Sequence, residues 1–292
     1  MKARPPASLL AGTLLLAIAI AFVIGIGLGE RGAEDPTEAT TVTVTLPAEP
    51  AVEDANTATQ AAKPAGAPGT KAAAPTRHEE GAERRLALDH PSDGYPVIWV
   101  RNGHEVEIRT EPGGGEVVAR AGARTEFESP TVFGVIEQRG DWAGITTAKL
   151  PNNQLGWIKL DRKRLKAGWT RVSLTIDLSE RRAQLKAADE VVKSFVVTVG
   201  APGIETPTGR FAVTDTFRGD LNSSAYGCCA LALSANQPKL PSGWLGGNRI
   251  AIHGTSGPLG VAASHGCVRA ADSDVDELVD RVALGTPVFI QA

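Results

Sequence analysis

The chain has 292 residues, with 30 basic against 33 acidic side chains and a formal net charge of −3. That length suits about two domains, and the charge balance lacks the basic excess that a nucleic-acid binder carries, so no nucleic-acid partner is expected. Glycine (32) and proline (19) are abundant and aromatics make up only 5%, so part of the chain is not packed core.

Lys2 and Arg4 precede an uncharged apolar run from Leu9 to Leu28. A secretory signal needs an apolar core of only about 7–15 residues, whereas a spanning helix needs roughly 20. The run reaches the longer length, and Gly29, Glu30 and Arg31 after it offer no A-x-A cleavage site. Residues 1–29 are therefore expected to be a single-pass membrane anchor with a cytoplasmic N-terminus, placing everything after Arg31 outside. A cleaved signal peptide, giving a secreted protein, is the alternative.

Residues 30–90 are dominated by Ala, Pro, Thr and Glu and hold almost no large apolar side chains. Such a stretch buries too little surface to offset the entropy of ordering it, and reads as a disordered tether. As a random chain its ~60 residues would span on the order of 45 Å.

Residues 91–166 carry short β-rich runs: "PVIWV", "HEVEIR", "EVVAR", "TVFGVIEQ", "WAGITT" and "LGWIKL". Turn chemistry ("RNG", "EPGGG", "RGD", "PNNQ") separates them, which predicts a small all-β barrel or sandwich. "FGVIEQRGDWAGITT" followed by "LGWIKL" resembles the bacterial SH3-like modules of cell-wall proteins. The resemblance leaves both a wall-binding role and a packing role open.

Residues 167–292 form a second β-rich unit. "RVSLTID" and "EVVKSFVVTVG" predict a hairpin across a charged turn, and "GRFAVTDTF", "YGCCALALS", "RIAIHG" and the closing "TPVFIQA" predict further strands. One late helix is expected, with Ser273 as its cap, Val275, Leu278, Val279 and Val282 on its inner face, and Gly285 as its stop. The fold class is mainly β with one late helix.

Three cysteines is an odd number for an exported chain. Cys228 and Cys229 are adjacent in an apolar strand and read as small core residues, one of which could instead pair with Cys267 under oxidation. Cys267 stands in "SHGCVR", and a thiolate nucleophile could use each of its neighbours. His253, ending "RIAIHG", is a base that a loop can bring to it. Gly266 lets an acyl carbon approach, and the backbone N–H groups around Gly266 and Cys267 are candidate oxyanion donors. Arg269 offers a planar fork to a carboxylate.

"IHGT" followed by "SHGCVR", with "TPTGRF" (Thr206–Phe211) and "YGCCALALSA" upstream, resembles the L,D-transpeptidases of the YkuD type, which cross-link peptidoglycan. The resemblance implies that Cys267 is the nucleophile and His253 its proton acceptor and donor, with His265 and Gly266 completing the catalytic site. It places Ser264, Arg269, Tyr226 and Gly254 against the substrate, a peptidoglycan stem peptide. It implies attack on the third residue of a tetrapeptide stem, release of D-Ala, 3→3 cross-links when an amine resolves the thioester, and acylation of the same cysteine by carbapenems. Water as acceptor would make an L,D-carboxypeptidase, and a protein amine an attachment enzyme. A non-catalytic wall-binding scaffold is the other class. Zinc on His253, His265 and Cys267 would need a fourth ligand, and no acidic residue lies between Gly254 and Arg269. No metal or cofactor is therefore assigned.

Overall fold

The computed structural model describes residues 85–292 apart from 220, 222, 245 and 246. The expected anchor, and the tether as far as residue 84, lie outside the described residues. Among the described residues no helix is long and apolar enough to cross a membrane.

Seven strands build the first sheet: β1 (Tyr95–Val100), β2 (Glu105–Arg109), β3 (Val117–Gly122), β4 (Val132–Arg139), β5 (Trp142–Ile145), β6 (Gly156–Lys159) and β7 (Leu165–Thr170). Their order is β3-β2-β6-β5-β4-β1-β7. Each of the six β-rich runs becomes a strand, and Ile98, Ile108, Ile145, Ile158 and Leu165, all fully buried, meet in one core. Removing such a side chain from water is worth about 1.5–3 kcal/mol. The expected division at 166/167 falls inside β7, which pairs with β1 from Tyr95↔Thr170 to Val100↔Leu165. "LKAGWT" alternates too weakly to announce a strand, but the buried Leu165 ties it to the first core.

The second unit comprises β8 (Val172–Asp177), β9 (Arg182–Ala187), β10 (Glu190–Val196), β11 (Val199–Gly200), β12 (Gly209–Arg218), β13 (Cys229–Asn236), β14 (Arg249–Gly254), β15 (Ala262–Ser264), β16 (Val268–Ala270), helix α1 (Asp272–Arg281) and β17 (Pro287–Gln291). Eight of these strands form one sheet in the order β10-β9-β8-β17-β12-β13-β14-β16, and β11 pairs with β15. The architecture is mainly β, with α1 the one α-helix among the described residues. The charged turn expected after β8 contains β9 instead. In "RAQLKA" only Ala183 and Leu185 point inward, each 1% exposed, and long polar side chains mask that alternation.

Helix α1 begins two residues earlier than expected. Its cap is Ala271, which has no side chain to bond the first turn, so Ser273 lies inside the helix. The inner face is as read: Val275, Leu278 and Val282 are buried, and Val279 packs beside them. The two sheets are stitched together by the loop after β5. Asn236 N–H donates to Asn152 Oδ1 (2.9 Å), Asn152 Nδ2 donates to the Asn236 carbonyl (2.6 Å), and Ser234 Oγ donates to Thr146 Oγ1 (3.0 Å).

Candidate active site

Strands β14 and β16 lie side by side and parallel, with Ile252 opposite Val268 and His253 opposite Arg269. Side chains alternate along a strand. Ile250, Ile252 and Val268 turn into the core, which leaves Ala251, His253 and Arg269 on the other face. Cys267 precedes β16 by one residue and shares the register position of Ala251, so the pairing carries it toward the side that His253 occupies.

The turn into β16 is held open for that purpose. Gly266 has φ 107°, and a Cβ there would stand 2.2 Å from Gln237 Nε2. No other residue fits both requirements. Ser264 Oγ donates to the Cys267 carbonyl (2.5 Å) and accepts the Gly266 N–H (3.1 Å), closing the turn from beneath.

Cys267 is the free cysteine among the described residues, and its Sγ lies 3.9 Å from the Arg249 carbonyl. Burial pushes the thiol up, and a backbone hydrogen bond from Ala251 and the Arg269 charge pull it partly back. Burial pushes His253 down. The Gly254 carbonyl and the Asp272 charge oppose that push, and Arg269 adds to it. His253 Nδ1 stands 2.8 Å from the Gly254 oxygen. A carbonyl only accepts, so Nδ1 carries the proton and Nε2 is left as the base. Both directions favour the neutral form of each group, the thiol of Cys267 and the imidazole of His253.

The other expected residues divide into two groups. Tyr226 is 38% exposed and its ring meets His253 edge-on at 5.0 Å, at the mouth of the site. Arg269 is half-buried, exchanges backbone hydrogen bonds with Thr198, and has a buried Nε with no partner among the described residues. His265 is exposed and its ring lies 4.8 Å from the Trp244 ring. Ser264, expected against the substrate, is fully buried, because its hydroxyl is spent bracing the turn. Gly254 is likewise buried. A Cβ on it would meet Asp272 Oδ1 at 2.1 Å, and its carbonyl faces His253 Nδ1. The Gly266 N–H, expected as an oxyanion donor, is committed to Ser264, which leaves the Cys267 N–H as the candidate. Cys228 and Cys229 are joined to each other by a disulfide, with Cys229 in the core, so neither pairs with Cys267.

Sequence reasoning missed three neighbours. Gln237, 3% exposed, donates through Nε2 to the carbonyls of Glu205 (3.0 Å), Ile204 (3.1 Å) and His265 (3.3 Å), tying the loop before "TPTGRF" to the nucleophile's turn. Asp272 accepts the Cys228 N–H at 3.2 Å and supplies the negative charge beside His253. Trp244 packs on His265. The acid at the helix start was a readable signal, since carboxylates favour that end of a helix. Gln237 lies outside any motif.

Residues 171–290 match the YkuD family, described as an L,D-transpeptidase catalytic domain. Two relatives that bear the name L,D-transpeptidase YkuD match over 119 residues: one from Bacillus licheniformis at 31% identity and one from Bacillus subtilis at 29%. Each match covers 40% of this chain and 64% of the relative. Among solved structures, an L,D-transpeptidase from Xylanimonas cellulosilytica is 26% identical at a TM-score of 0.31, over 41% of this chain and 60% of its own. L,D-transpeptidase 3 from Mycobacterium tuberculosis is 13% identical at a TM-score of 0.34, over 54% and 97%.

Proposed function

From the match of residues 171–290 to the YkuD family of L,D-transpeptidase catalytic domains, we propose that this chain is a cysteine acyltransferase that forms 3→3 cross-links in peptidoglycan. The observation that carries the reading is the His253 ring, locked by Gly254 with Nε2 unprotonated and set on a strand paired to the one that follows Cys267.

In the first step Nε2 takes the Sγ proton, and the thiolate adds to the carbonyl carbon of the third residue of a tetrapeptide stem. The Cys267 N–H faces the oxyanion. The bond to the terminal D-Ala breaks, its nitrogen takes the proton back from His253, and a thioester remains. In the second step the side-chain amine of a neighbouring stem attacks the thioester and yields its proton to His253. The sulfur leaves and is reprotonated. The unpartnered Nε of Arg269 suits a carboxylate of the stem, and Tyr226 walls the entrance. Water in place of the amine gives carboxypeptidase activity.

Residues 1–29 would hold the enzyme at the membrane and the tether would let it reach its polymer, with the first sheet as an SH3-like wall-contact or packing unit. Incubation of the protein with disaccharide-tetrapeptide, read by mass spectrometry, tests the reading. A cross-linked dimer supports transfer, a tripeptide supports hydrolysis, and unchanged substrate sinks both. Carbapenem adducts on Cys267 are expected in either catalytic case. A non-catalytic scaffold instead binds wall through residues 91–166 and takes no adduct.

A further inference from the structure

Arg249 is the first residue of β14, and its carbonyl is the oxygen lying 3.9 Å from Cys267 Sγ. Its side chain runs the other way, into the seam between the two sheets. There Nη2 meets Glu126 Oε1 on the loop between β3 and β4, while Nη1 donates to Thr214 Oγ1 at 3.1 Å and lies 3.9 Å from Asp215 Oδ2. Phe127 from the same loop packs under the guanidinium (5.9 Å) and edge-on against Phe217 (5.3 Å).

Asp215 makes this arrangement hard to undo. It is fully buried, Thr125 Oγ1 donates to one of its oxygens, and the other has no hydrogen-bond partner among the described residues. A buried carboxylate stripped of its cation costs several kcal/mol, so Arg249 is kept where it is by a residue of its own unit. Glu126 then fixes it from the first sheet.

We propose that Arg249 is a positioning residue, clamped between Glu126 of the first sheet and Asp215 of β12, that sets the start of β14 so that its carbonyl seats the sulfur of Cys267. The first sheet is on this account part of the scaffold of the nucleophile, whatever else it binds. The inference rests on Cys267 being the reactive sulfur of the site, and not on which acceptor resolves the thioester.

Alkylation of Cys267 by iodoacetamide, followed by intact mass on the full chain from about pH 6 to 10, reads the sulfur without any substrate. The ionisable groups are His253 and Arg249 on β14, Arg269 on β16, His265 in the turn before β16 and Asp272 at the first position of α1. The other ionisable residues of α1 are Asp274, Asp276, Glu277, Asp280 and Arg281. A carbonyl acceptor favours the protonated thiol, so releasing the clamp lowers the midpoint of the profile. Glu126→Ala and Arg249→Gln are each expected to lower it and to raise the rate at neutral pH about threefold or more. The double variant should show no more than the larger single effect, as for two residues acting through one contact. Arg249→Lys should stay near wild type, as should Arg139→Gln, which removes a cation of the first sheet outside the clamp.

Folded variants whose profiles overlay the wild type overturn the proposal, and so do single effects that simply add. If Arg249→Gln fails to fold because Asp215 is stranded, Glu126→Ala decides alone, since its carboxylate is half-exposed. A wild-type Cys267 that iodoacetamide never modifies would remove the reactive sulfur itself, and the inference with it.

Discussion

His253 lies directly across from Arg269 in the parallel pairing of β14 with β16. That register sets the strand that carries His253 directly beside the strand that follows Cys267. It also gives both groups the same cationic neighbour, which depresses the thiol and the imidazole together.

Replacing either member of the pair should separate chemistry from folding. Cys267→Ala is expected to abolish conversion of the tetrapeptide. His253→Gln should lower turnover by about 10²–10⁴-fold, the usual worth of a positioned general base. Circular dichroism should show both folded, because neither change empties the core. Turnover by the alanine variant at the wild-type rate would refute the nucleophile assignment.

The acid limb of the activity profile should report His253. Nε2 accepts the thiol proton only when the ring is neutral, so activity rises as pH climbs through the imidazole pKa. Burial holds that pKa below the ordinary 6.5. The half-maximal point of kcat/KM on the acid side is therefore expected below 6.5, measured with tetrapeptide in buffers of constant ionic strength. A limb at or above that value would mean the ring is more hydrated than the fold implies.

Much of this was legible in the chain because the chemistry is local. Cys267, Gly266 and Ser264 sit within four residues of one another, and four turn motifs set off the six β-rich runs of the first unit. What stayed hidden depends on contacts between distant segments. Gln237 earns its place through carbonyls at 204, 205 and 265, and a lone glutamine after a strand advertises none of them. Strand β9 was masked because its outward side chains are long and polar, and β7 because its partner β1 lies at the far end of the unit. The burial of Ser264 and Gly254 was equally hidden, because a motif shows neighbours in sequence and not which of them face inward.

Gly266→Ala tests the turn. The substitution places a side chain at φ 107°, where L-residues cost about 1–3 kcal/mol, and drives its Cβ onto the Gln237 amide. A loss of about 2 kcal/mol or more is expected in urea unfolding. Gln237→Leu leaves carbonyls without their donor at similar buried volume. It should lower kcat more than it raises KM, because it loosens the turn that carries the sulfur. An unchanged kcat would reduce Gln237 to a packing residue.

Asp272 supplies the closing test, because its charge and its hydrogen bond can be removed separately. Its Oδ1 accepts the Cys228 N–H, and its negative charge favours the protonated form of His253. Asp272→Asn keeps an oxygen for the N–H but discards the charge, so protonated His253 is less favoured and its pKa falls further. The acid limb should then move to lower pH while the plateau at neutral pH stays close to wild type. Asp272→Ala loses the acceptor as well, frees the segment of Tyr226 that packs on His253, and should lower the plateau. Paired pH–rate profiles of the two variants distinguish these effects. A limb that shifts upward in the asparagine variant would show that the carboxylate does not act on the imidazole through its charge.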